Sequence, residues 1–126
     1  MTPEKTILCV DDNALSRTVI QKFIEHSPVA FKYAEAASGS DCLSWLSQNN
    51  ADLIILDYSL GDMTGCDVGK MIPSTSLNPD VPIIMFSVVD HEDLDKLCDM
   101  PNVVKVVQKP YDMKSFHQDV VDILSD

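Results

Sequence analysis

No hydrophobic run in this chain approaches the roughly 20 residues needed to cross a bilayer, and the opening Met1-Thr-Pro-Glu-Lys5 lacks the apolar core of a signal peptide. The sequence therefore predicts a cytoplasmic protein with no membrane contact. Positive charge is scarce as well: 9 Lys and Arg face 20 Asp and Glu, a formal net charge of −11. Nucleic-acid binding neutralises phosphates with cationic side chains, so this chain is not expected to bind DNA or RNA, and any DNA-binding output must lie outside it. Cys9, Cys42, Cys66 and Cys98 form no C-x-x-C pair, which argues against a zinc knuckle or a dithiol motif. All four are expected to be reduced, with Cys9 a small core residue. There is no repeat, linker or low-complexity segment. The 126 residues fit one domain, 1–126, and 45% hydrophobic content is enough for a core without staples.

What the chain does contain is a series of short apolar runs, each followed by a polar residue. Residues 6–10, 53–56, 83–86 and 103–107 read as buried parallel strands, and they lead to Asp11-Asp12, Asp57, Ser87 and Lys109. A more polar segment, 31–37, reads as an edge strand. Between the strands, residues 13–26 carry Leu15, Val19, Phe23 and Ile24 at near-helical spacing, and Ser27-Pro28 ends that helix. A turn at 38–41 opens a helix with Leu43 and Leu46 as core contacts. Gly61 and Gly65 flank a flexible loop before a short third helix that Pro73 is expected to stop. An acidic helix over 91–99 uses Leu94 and Leu97, and Asp112 caps a last helix facing Met113, Phe116, Val120 and Leu124 inward. Five βα repeats predict an α/β domain, a five-stranded parallel sheet with helices on both faces.

Parallel strands bring their C-terminal ends to one edge, where open α/β sheets place their ligands. Three carboxylates, a hydroxyl and an ammonium would then share one crevice. Asp11, Asp12 and Asp57 would repel one another unless a cation sat among them, and oxygen-only ligands favour a hard ion such as Mg²⁺. Lys109 supplies a mobile positive charge and Ser87 a short donor. Such a set suits phosphoryl transfer, with Asp57 as the nucleophile that forms an acyl phosphate. Singly, each residue has a simpler reading: Asp11 and Asp12 as a helix start, Ser87 and Asp57 as turn residues, Lys109 as a solvated lysine. Independent turns need not place acids, hydroxyl and base in this order.

Asp11-Asp12-Asn13 with Arg17, Asp57 with Met63 and Gly65, Ser87, and Lys109-Pro110 together resemble the receiver domain of two-component response regulators, the CheY-like family. The resemblance implies a flavodoxin-like doubly wound (βα)5 fold with strand order 2-1-3-4-5. It implies phosphorylation of Asp57 by a histidine kinase or histidine phosphotransfer protein, with regulation of a downstream protein or a fused output domain. It also implies Mg²⁺ held by Asp12, Asp57 and the main-chain carbonyl of Ser59, with Asp11 bound through water. Such a module is not an enzyme in the usual sense: it catalyses its own phosphorylation and slow dephosphorylation. Val106 stands where the family usually has Tyr or Phe, Val88 where small residues are usual, and Gly61 where proline is common; Met100-Pro101-Asn102 replaces a glycine-alanine pair, and Ser59 and Val89 flank the expected hydrolysis path. These departures leave open an alternative, a receiver-fold interaction module that is not phosphorylated. A dehalogenase-type phosphatase would need a second acid at Ser59, and a flavin carrier would need a glycine-rich loop where Asp11-Asp12 stand.

Overall fold

A computed structural model describes residues 5–75, 77–87, 102–108 and 113–124. Its five strands are β1 (Lys5–Val10), β2 (Phe31–Ala36), β3 (Leu53–Asp57), β4 (Ile83–Ser87) and β5 (Val103–Gln108). Its helices, among the described residues, are α1 (Ala14–Glu25), α2 (Gly39–Gln48), α3 (Gly65–Thr75) and α4 (Met113–Leu124). All strand pairs are parallel, in the order β2-β1-β3-β4-β5. The expected helix over 91–99 and the expected Asp112 cap lie outside the described residues.

Continuous apolar strands follow from helices on both faces, because every residue then points into a core. On one face Ile54 and Leu56 of β3 pack with Cys42 and Leu46 of α2 and Val68 and Ile72 of α3. On the other, Leu53 and Ile55 pack with Ile20 and Ile24 of α1 and Phe116 and Val120 of α4. Phe116 ties that second core together, 5.2 Å from the Phe23 ring and 5.1 Å, edge-on, from Phe86. Strand β2 has only β1 as a neighbour, which explains its polar sequence.

Three expectations are corrected. Phe23 and Ile24 pack inward as expected, but Leu15 and Val19 do not face the core: they are 73% and 44% exposed, and Ile20 is buried in their place. The apolar positions of α1 spread over about half the helix circumference, and the sheet covers the half that contains Ile20 and Ile24. Pro73 does not stop the third helix, which continues to Thr75. So close to the end, the proline removes only one backbone bond, and the last turn survives that loss. Cys66 is disulfide-bonded rather than reduced, whereas Cys9 and Cys42 are free and buried. Disulfide formation depends on tertiary proximity that no local spacing reveals.

Candidate functional site

Strand register builds the site. Val10 lies opposite Leu56, and Asp57 lies opposite Phe86, so Asp11 and Asp57 emerge side by side at the C-terminal edge with Ser87 one residue beyond Phe86. One carboxylate oxygen from each of Asp11, Asp12 and Asp57 lies within 4.8 Å of the other two. Asp11 is 7% exposed, Asp57 half-buried and Asp12 exposed, while Ser87 is 2% exposed. The three carboxylates and the hydroxyl predicted from sequence thus stand at the same sheet edge. Lys109 lies outside the described residues, as do Val88 and Val89. Strand β5 ends at Gln108, which pairs with Ser87.

Asp11 is held on every side. Its backbone N–H donates to the Ala36 carbonyl at 3.2 Å, and its Oδ1 accepts from the Asn13 N–H at 2.9 Å. Asn13 in turn caps α1, its side chain accepting from the Ser16 N–H at 3.1 Å. One helical turn further, Arg17 donates from Nη1 to the Asp11 carbonyl at 2.7 Å and pairs with Glu35 at 3.5 Å. The Tyr33 hydroxyl lies 2.8 Å from Glu35 and 3.1 Å from the Arg17 carbonyl, and burial raises its pKa. This chain of contacts fastens the first turn of α1 to β2 and fixes the peptide from which Asp11 projects. The sequence suggested Arg17 as part of a pattern without giving it a task; Tyr33 and Glu35 were missed, because an edge strand exposes polar residues for many reasons.

The loop after Asp57 folds back on itself. Ser59, whose side chain is exposed, bridges to Thr64, Leu60 donates to the Met63 carbonyl, and the Asp62 N–H reaches the Leu60 carbonyl at 2.9 Å. Thr64 and Asp67 exchange hydrogen bonds of 3.1 Å each, a capping box that starts α3. Gly61 has φ +82°, and a Cβ there would lie 3.5 Å from Asp12 Oδ2. Glycine at this position serves a left-handed turn beside the acidic cluster, a conformation that proline, fixed near −65°, cannot take. Gly65 is equally constrained by space: a Cβ would sit 2.8 Å from the Asp57 carbonyl oxygen and 2.7 Å from Met85 Sδ. Val106 is half-buried against the core.

The donor set fits a small hard cation. With ligands at 2.0–2.1 Å, opposed oxygens around Mg²⁺ are about 4.2 Å apart, comparable to the spread of the three carboxylates.

A parallel sheet in 2-1-3-4-5 order with this acidic edge defines the receiver class. The response regulator receiver domain model matches residues 7–121, and the chain belongs to that family. It is similar to the two-component response regulator ORR3 of Oryza sativa, 33% identical over 86 residues, covering 68% of this chain and 64% of that protein. It is also similar to the cyclic di-GMP phosphodiesterase response regulator RpfG of Xanthomonas campestris pv. campestris. There it is 28% identical over 104 residues, covering 82% of this chain and 28% of the relative, so the chain spans less than two thirds of either protein. Among solved structures, the chemotaxis response regulator CheY4 of Vibrio cholerae superposes with a TM-score of 0.85 at 20% identity, covering 97% of this chain and all of that one. That likeness confirms the flavodoxin-like fold. Receiver domains act in two-component signalling and bind Mg²⁺ at an acidic pocket, and this chain carries an acidic cluster, Asp11, Asp12 and Asp57, at its sheet edge. No helix among the described residues is long and apolar enough to cross a membrane.

Proposed function

We propose that this domain accepts a phosphoryl group on Asp57 from the phosphohistidine of a kinase or phosphotransfer protein, and relays the change to a downstream protein or a fused output domain. The observation that carries the reading is the convergence of three carboxylates at the sheet edge, with Asp57 half-buried between the buried Asp11 and Ser87. Mg²⁺ held by Asp12, Asp57 and the Ser59 carbonyl, with Asp11 acting through water, would neutralise the carboxylates and polarise the incoming phosphoryl group. An Asp57 oxygen attacks phosphorus; the new O–P bond forms as the N–P bond to imidazole breaks, and the ring leaves with the bonding pair. Ser87 donates its hydroxyl to a phosphoryl oxygen, and Lys109 pairs with another. Arg17, through the Asp11 carbonyl, keeps the acidic cluster in register.

Intact-mass spectrometry after incubation with acetyl phosphate tests this. A single gain of one phosphoryl group is expected with Mg²⁺, none without it, and none in Asp57→Asn. Undiminished labelling of that variant would refute the assignment of Asp57, and absence of labelling in the parent protein would favour the unphosphorylated interaction module.

A further inference from the structure

The first turn of α2 is capped from an unexpected place. Helix N-termini leave their first N–H groups without intrahelical partners. Here Ser38 accepts from the Asp41 N–H at 3.0 Å, as a local cap does. The N–H groups of Gly39 and Ser40 go instead to Asp62, 23 and 22 residues away, with Oδ1 and Oδ2 each at 3.0 Å. A carboxylate before a helix N-terminus is favoured by the dipole, and these two donors hold the Asp62 carboxyl below its usual pKa. Contact beside the clamp is close: a Cβ on Gly39 would fall 2.5 Å from Met63 Cγ and 2.9 Å from Val68 Cγ2, so only glycine lets the loop approach.

Asp62 belongs to the same short loop that carries Ser59 and Gly61. That loop is tied internally by the Ser59–Thr64 bridge and by the Leu60–Met63 and Asp62–Leu60 bonds, which brace it as one unit. One end of the unit is Gly61, beside Asp12 Oδ2; the other is the Asp62 clamp on α2. We propose that Asp62 is a positioning residue for the metal site: by gripping the first two N–H groups of α2 with both carboxylate oxygens, it holds the loop after Asp57 at the distance from Asp12 that ion binding requires. The inference rests on the phosphoacceptor reading for its chemistry and on the loop geometry for its mechanics.

Asp62→Ala removes both acceptors, and Asp62→Asn keeps one carbonyl oxygen. Titration with MgCl2, followed by the NMR shifts of the Asp57 and Tyr58 amides, should show half-saturation raised about tenfold in Asp62→Ala, as for loss of groups that orient a metal's ligands. Asp62→Asn should fall between it and the parent. Acetyl phosphate labelling should slow at limiting Mg²⁺ and recover at saturating Mg²⁺, a split that a helix cap acting on stability alone does not produce. In metal-free protein, amide exchange should accelerate across 58–64 as well as at 39–40. Acceleration confined to 39–40, or unchanged half-saturation in a folded Asp62→Ala, would overturn the proposal. If the parent protein shows no Mg²⁺ response, the phosphoacceptor reading fails, and exchange across 58–64 alone then decides whether Asp62 holds the loop.

Discussion

At the scale of single residues, burial rather than charge pairing governs the described thiols. Desolvation pushes Cys9 and Cys42 each up to about 12, with the Tyr33 hydrogen bond partly opposing the shift at Cys9. In the unfolded chain such thiols ionise near 8.5. Between these values the unfolded state holds fewer protons than the folded one, so stability is complete below about pH 8.5 and falls as pH rises toward 12. Urea midpoints measured at pH 7.5 and pH 10 should therefore differ, with the alkaline value lower, and Cys42→Ala should reduce that difference while lowering stability overall. An unchanged difference in that variant would assign the loss to other groups. The same burial makes both thiols poor nucleophiles, so iodoacetamide at pH 8 should leave Cys9 and Cys42 unmodified in the native state and label them after unfolding. Gly61 yields the complementary backbone prediction. Its φ of +82° makes Gly61→Pro destabilising, and Gly61→Ala should cost about 1–2 kcal/mol by chemical denaturation.

At the scale of elements, α3 meets the sheet through Gly65, whose N–H donates to the Tyr58 carbonyl at 2.6 Å. An added methyl would press on the Asp57 carbonyl, which is backbone and cannot rotate away. Gly65→Ala should thus destabilise the fold by about 1–3 kcal/mol, the range for overpacking, and slow phosphorylation of Asp57 in the protein that remains folded. A variant as stable as the parent and labelled at the same rate would show that α3 shifts freely. Elements of this kind were largely legible in the sequence. Aliphatic runs ending in Asp11, Asp57 and Ser87 gave strands whose ends meet, and the polar β2 gave an edge, because burial on both faces or on one leaves a direct compositional trace. The facing of α1 was misread at one end: Phe23 and Ile24 pack inward as expected, but Leu15 and Val19 have the wrong phase relative to Ile20 and Ile24. Asp62 was not singled out at all. Its partners are backbone N–H groups across the fold, and no side-chain pattern marks a donor that every residue carries.

At the scale of the whole molecule, an excess of acid is concentrated where three carboxylates stand within 4.8 Å on a chain of net charge −11. Two unit charges at that separation repel by about 1 kcal/mol even at the dielectric of water, so the apo fold carries a destabilising cluster that a divalent cation would relieve. A ligand that binds only the folded state adds RT ln(1 + [L]/Kd), about 2.7 kcal/mol at 100 times the dissociation constant. Melting temperature should consequently rise with millimolar MgCl2, and rise much less with NaCl of equal ionic strength, since screening acts on the whole surface but does not bridge the cluster. Asp12→Asn separates the two effects. By removing one charge from the cluster it should stabilise the metal-free protein and at the same time weaken the response to MgCl2. If MgCl2 and matched NaCl shift the parent protein equally, and Asp12→Asn leaves both curves in place, the acidic edge is a solvated surface rather than a cation site, and phosphoryl acceptance at Asp57 loses its principal physical support.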